Sequence, residues 1–132
     1  MPNNGLISAQ SRVSAKETLD RLLAALATRK LTVFARVDHA AGAASVGLPL
    51  RPTEVVIFGN AKGGTALMQD RQSAGIDLPL KALVSEDADG RAWLSYNDPA
   101  WIAERHGLGA ASAAAVKAMA ELLGAIAQEA TR

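Results

Sequence analysis

The chain has 132 residues, 49% of them hydrophobic, 20% charged and 4% aromatic, a composition that fits one globular domain and excludes intrinsic disorder. With 14 Lys and Arg against 13 Asp and Glu, the net charge of +1 argues against a broad basic surface for nucleic acid. The absence of cysteine excludes disulfides, thiolate metal sites and a cysteine nucleophile, and 2 histidines leave little for a metal cage, so no metal and no cofactor is expected.

The start, Met1-Pro2-Asn3-Asn4-Gly5, is polar and lacks a basic segment leading into a long apolar run, so no secretory signal is expected. No stretch reaches the ~20 apolar residues that span a bilayer. The alanine-rich C-terminal segment comes closest and is broken by Lys117, Glu121, Gln128 and Glu129. A cytoplasmic protein without membrane or nucleic-acid partners is the expectation.

Leu6 to Gln10 alternates weakly, as a short strand does. Ser14-Ala15-Lys16-Glu17 has the spacing of a capping box, and Leu19, Leu22, Leu23 and Leu26 then recur as one apolar helix face. Leu31 to Val37 is β-branched and aromatic and predicts a strand ending at Asp38-His39. Ala40 to Ala44 has room for one or two helical turns, and Pro49 and Pro52 hold Gly47 to Pro52 as a connection. Val55-Val56-Ile57-Phe58 is a continuous apolar run, the pattern of a strand covered on both faces.

After Gly59-Asn60, the stretch Ala61 to Thr65 is expected to lead into a helix carrying Ala66, Leu67 and Met68 and ending near Gly75. Leu78-Pro79-Leu80 opens a strand through Val84, and Glu86 to Gly90 forms a turn returning as a strand over Arg91 to Tyr96. Asp98-Pro99 starts a short helix that Gly107 ends, and a last helix spans about Ala111 to Ala130 with Val116, Met119, Leu123 and Ile126 on one face. The order βαβ(α)βαββαα predicts a single α+β domain over residues 1–132. It is a two-layer sandwich of one mixed β-sheet with helices mainly on one face.

Several of these segments carry a resemblance. Phe34-Ala35-Arg36-Val37-Asp38-His39-Ala40-Ala41, Gly47-Leu48-Pro49-Leu50-Arg51-Pro52-Thr53, Val55 to Thr65, Asp77-Leu78-Pro79-Leu80-Lys81 and Ser95-Tyr96-Asn97-Asp98-Pro99 together resemble the prokaryotic domain-of-unknown-function family 302. The likeness covers roughly Ser8 to Leu108, with Ala61 standing where the family pattern has proline. It implies a compact α+β domain that tends to form homodimers, and it implies no activity.

Three constellations are candidates for chemistry. Gly63 and Gly64 let backbone N–H groups converge at a helix start, where Asn60, Lys62 and Thr65 complete a cradle for a carboxylate or phosphate. Lys62 precedes both glycines, so this is not a P-loop. The competing structural reading makes the glycines a tight helix entry capped by Thr65. Asp38-His39, at a strand end, pairs a carboxylate with a general base, but adjacent strand residues point to opposite faces, so Asp38 more simply caps the following turn. Trp93, Tyr96, Trp101 and His106 form an aromatic group in which Trp93 and Tyr96 have opposite parity. Glu86, Asp87 and Asp89 lack the spacing of a calcium loop.

The reading preferred from these residues is a non-enzymatic homodimer binding a small anionic ligand through Asn60, Lys62, Gly63, Gly64 and Thr65, with Arg36, Arg51 or His39 nearby. The alternatives are a structural or protein-interaction dimer without ligand, and a small enzyme. In the enzyme reading His39 is the acid/base, Asp38 or Asn60 orients it and Lys62 stabilises charge. That reading requires His39 and Lys62 to meet at one edge of the sheet, which parallel neighbouring strands joined by a crossover would allow.

Overall fold

The structure is a computed structural model that describes residues 4–132. Met1, Pro2 and Asn3, read above as part of a polar start, lie outside the described residues. The elements follow the expected order: β1 (Leu6–Gln10), α1 (Ala15–Thr28), β2 (Thr32–Asp38), α2 (His39–Ser45), β3 (Thr53–Gly59), α3 (Ala61–Asp70), β4 (Leu80–Glu86), β5 (Ala92–Asn97), α4 (Pro99–His106) and α5 (Ala113–Thr131). A 3₁₀ segment, Gln72–Asp77, lies between α3 and β4.

The five strands form one sheet in the order β1-β5-β4-β3-β2, and the α+β two-layer class is as expected. All four pairings are antiparallel, which corrects the expectation of a mixed sheet. The reason lies in the connections. A single helix laid along a sheet delivers the chain to the far end and so yields a parallel neighbour. Here α3 is followed by the 3₁₀ segment, and the chain returns to the end it left, pairing Phe58 with Leu80.

Helix α1 starts as its sequence dictates, with the Ser14 hydroxyl accepting from the Glu17 N–H at 3.1 Å. The Glu17 carboxylate faces Arg21 one turn on rather than closing the capping box. Leu22 and Leu26 are fully buried, and Leu19 and Leu23 pack at the margin of the same core. From α5, Met119, Leu123, Ile126 and Ala127 meet them over a sheet face built from Val56, Phe58, Leu80, Ala82, Val84, Leu94 and Tyr96. The Val55–Phe58 run is covered on one face only: Val56 and Phe58 are sealed in the core, while Val55 and Ile57 are half-exposed on the other side. The helices collect on one face and leave those alternate residues without a second layer.

The β4–β5 turn is organised by Asp87. Its carboxylate accepts from the backbone N–H groups of Asp89 and Arg91, both at 2.9 Å, and from the Trp93 indole at 2.8 Å. The indole bond, then the Arg91 N–H, hold the Asp87 carboxyl below the usual carboxylate range against a smaller opposing desolvation. A depressed folded value means this support is complete above the unfolded carboxyl pKa near about 3.9 and is lost as pH falls through the lower folded value. Acidification from pH 6 to 2 is therefore expected to move the Trp93 indole N–H resonance toward its position in Asp87→Ala. If wild type and Asp87→Ala share one indole resonance at pH 6, the bond is not holding the turn.

Candidate functional site

The end of β3 delivers Asn60 to the start of α3. The Asn60 side chain accepts from the Gly63 N–H at 2.9 Å, and helix geometry begins at Ala61. The helix thus starts earlier than the sequence suggested, and the cap is Asn60 rather than Thr65, which lies inside the helix and is exposed. Asn60 has the side-chain acceptor that a first turn needs, so it overrides the poor helix propensity of the two glycines. Packing is tight only at Gly63, where a Cβ would approach Met119 Cε to 3.3 Å, while one at Gly64 would meet Leu78 Cδ1 at an ordinary 3.8 Å.

Two polar features stay available. The first N–H groups of a helix, here those of Ala61 and Lys62, have no acceptor within it. Lys62 is exposed, and no residue pairs with its ammonium among the described hydrogen bonds and ion pairs. Beside them opens a cavity of about 210 Å³ walled by Phe34, Ala61, Thr65, Met68, Leu78 and Pro79. The Leu78–Pro79 peptide bond is cis, and both residues line this slot.

The antiparallel pairing separates the other candidates from this point. Asp38 pairs with Glu54, whereas Thr32 pairs with Gly59, so His39 and Lys62 stand at opposite ends of the β2–β3 ladder. Six residues of strand put roughly 20 Å between them. The shared edge that the enzyme reading required is absent. Asp38 caps α2 by accepting from the Ala41 N–H at 2.9 Å, and it does not orient His39. Arg36 is committed to Glu54 at 2.6 Å, and Arg51 donates to the Glu86 carbonyl at 3.1 Å. Neither reaches Lys62.

The aromatic group is likewise dispersed. Tyr96 is buried on the helix-covered face, where desolvation pushes its hydroxyl pKa up. Trp93 lies on the opposite face against Asp87. Trp101 packs on Gly5, where an added Cβ would sit 2.4 Å from the indole ring.

Two features escaped the sequence reading. A cavity of about 420 Å³ lies at the other end of β3, between α1, the start of β3 and the ends of β2 and β4, with Lys16, Asp38, Glu54 and Glu86 among its walls. The other is a partly buried cluster in which His106 Nε2 lies 2.6 Å from Asp77 and His106 Nδ1 lies 2.9 Å from the exposed Ser73. Asp77 and His106 are 29 residues apart in sequence, and no local pattern links them.

The model of the family described as "Domain of unknown function DUF302" matches residues 7–127. A solved structure described as an uncharacterized conserved protein DUF302 from Bacillus stearothermophilus superposes with a TM-score of 0.85 at 16% identity, covering 98% of this chain and 100% of that one. Among curated proteins, the fluoride-specific ion channel FluC 1 of Brucella suis is 51% identical over 117 residues, 89% of this chain and 46% of its own length. FluC 2 of Brucella melitensis is also 51% identical, over 43% of its length. The chain thus spans less than half of these relatives, and among the described residues no helix is long and apolar enough to cross a membrane. The chain belongs to the DUF302 family.

Proposed function

We propose that this DUF302 domain is a cytoplasmic, homodimeric binding module for a small anion, taken up at the start of α3 by the Ala61 and Lys62 N–H groups and the Lys62 ammonium. Asn60, Gly63, Gly64 and Thr65 shape the site around them. The observation that carries the reading is the unpaired Lys62 ammonium, set on the helix end whose N–H groups already favour negative charge, beside an open slot. The apolar slot suits the body of a short organic carboxylate. The name carried by the Brucella relatives adds fluoride as a candidate.

The test is a thermal-shift titration of wild type and Lys62→Ala with sodium fluoride, phosphate and butyrate at constant ionic strength. One of these at 100 times its Kd is expected to stabilise the wild type by about 2.7 kcal/mol and to lose most of that effect in Lys62→Ala. Equal responses of the two proteins to all three anions would refute the site.

A second reading, an interaction dimer without ligand, is favoured by the uncovered sheet face. Val37, Val55, Leu83 and Ser95 stand in one row across it, with Ile57, Trp93 and Lys81 alongside. Of these residues only Lys81 is charged, and its ammonium is turned back onto the Pro79 carbonyl at 3.1 Å. Such a face wants a partner of the same character.

A further inference from the structure

The Ser73–His106–Asp77 cluster is not used by the anion site. His106 closes α4 and points both ring nitrogens into partners contributed by the 3₁₀ segment. Nε2 lies 2.6 Å from Asp77 Oδ2 and Nδ1 lies 2.9 Å from Ser73 Oγ. Arg105 Nη1 grips both oxygens of the Asp77 carboxylate, at 3.0 and 3.1 Å, while its guanidinium lies 5.8 Å from the centroid of the Trp101 ring.

These partners assign the proton positions. A carboxylate held by a guanidinium accepts, so the His106 Nε2–H donates to Asp77. With that proton on Nε2, Nδ1 is the ring nitrogen left to accept from the Ser73 hydroxyl. Nucleophile, base and orienter are thus in line, with the two ring nitrogens exchanged relative to the serine-protease arrangement and the proton path unaltered.

Exposure divides the three in the way acyl transfer needs. The His106 and Asp77 side chains are 7% and 12% exposed, which shields the base and its orienter, while Ser73 is open to solvent. Ile76, 72% exposed, follows Ser73 by three residues in the 3₁₀ segment, whose three-residue turn places the two side by side. An apolar side chain therefore stands next to the hydroxyl, where an acyl chain would lie.

We propose that Ser73 is an acyl-accepting nucleophile toward small esters with a short apolar acyl chain. The Ser73 oxygen bonds to the ester carbonyl carbon as its proton passes to His106 Nδ1. Collapse of the tetrahedral adduct breaks the bond to the leaving alkoxide, which takes that proton from His106. Water then attacks the acyl-Ser73 carbonyl, giving a proton to His106, and the departing Ser73 oxygen recovers it as the acid leaves. Asp77 is a positioning residue throughout.

The experiment pairs hydrolysis of p-nitrophenyl butyrate with labelling by diisopropyl fluorophosphate, read by intact mass and peptide mapping. Wild type is expected to release p-nitrophenolate above the protein-free rate and to carry the phosphoryl adduct on Ser73. Ser73→Ala, a change at an exposed hydroxyl, is expected to keep its melting temperature, carry no adduct and fall to the protein-free rate. His106→Gln is expected to react at least about 100-fold more slowly. Should that variant fail to fold, the wild type against Ser73→Ala comparison decides. An adduct absent or on another residue, or equal hydrolysis by wild type and Ser73→Ala, overturns the proposal.

Discussion

Phe58→Ala is expected to lower the free energy of unfolding by about 3–5 kcal/mol, while Phe34→Ala changes it by less than about 0.5 kcal/mol. The two phenylalanines are chemically identical and sit on neighbouring strands, so the contrast isolates environment. Phe58 is fully buried, flanked on its sheet face by Val56 and Leu80 and covered by the helices. Truncating it removes a large apolar surface and leaves a void that packed neighbours close only in part. Phe34 lies where the β2–β3 register shifts between Val33 and Ala35, a bulge that turns its ring outward to 54% exposure. Against a typical domain stability of about 5–15 kcal/mol, the Phe58 loss is a large fraction, worth roughly 10–20 °C in melting temperature. Urea and thermal unfolding followed by circular dichroism read both variants. Equal losses at the two positions would mean that the core is not centred where Val56 and Phe58 place it.

The same contrast explains what the sequence discloses. Where one residue or a short periodic run determines local geometry, the elements are legible. Asp98 caps α4 by accepting from the Ala100 N–H at 3.0 Å, Gly107 takes the left-handed conformation at φ 65°, and Met119, Leu123 and Ile126 face the core. Phe58 looks no different from Phe34 in sequence, because a bulge depends on the partner strand. Strand direction is hidden for a related reason: nothing in Ala61 to Asp77 announces that the chain doubles back, so the sheet reads as mixed. The anion site is legible as residue types, with Lys62, Gly63 and Gly64 in the right order. The Asn60 cap is a local bond three residues apart that the sequence reading gave to Thr65, whereas the packing of Gly63 on Met119 comes only from tertiary structure. Ser73, Asp77 and His106 lie on two elements whose approach no local pattern encodes.

If the proposed homodimer forms through the uncovered sheet face, Leu83→Asp is expected to leave a folded monomer, raising the dissociation constant by more than about 100-fold. Leu83 sits near the centre of the uncovered sheet face, between Val55 and Ser95 in register. Five strands spaced about 4.8 Å apart and about 20 Å long offer roughly 480 Å² in plan. With surface relief and flanking loops, that approaches the ~800 Å² per partner of a standard interface. The alternative of joining copies through the free edge of β2 is opposed by the Phe34 bulge and by Arg36 and Asp38, all features that blunt an edge. In a two-fold dimer every substitution occurs twice, so Leu83→Asp sets two carboxylates into one largely apolar contact, where the Lys81 ammonium, held on the Pro79 carbonyl, is the nearby cation. In the monomer the same side chain meets water, and the fold loses little beyond strand propensity, at most about 1 kcal/mol. Sedimentation equilibrium with circular dichroism separates these outcomes. A wild type that stays monomeric at tens of micromolar removes the dimer from the proposed function, and a dimer indifferent to Leu83→Asp moves the contact to the β2 edge.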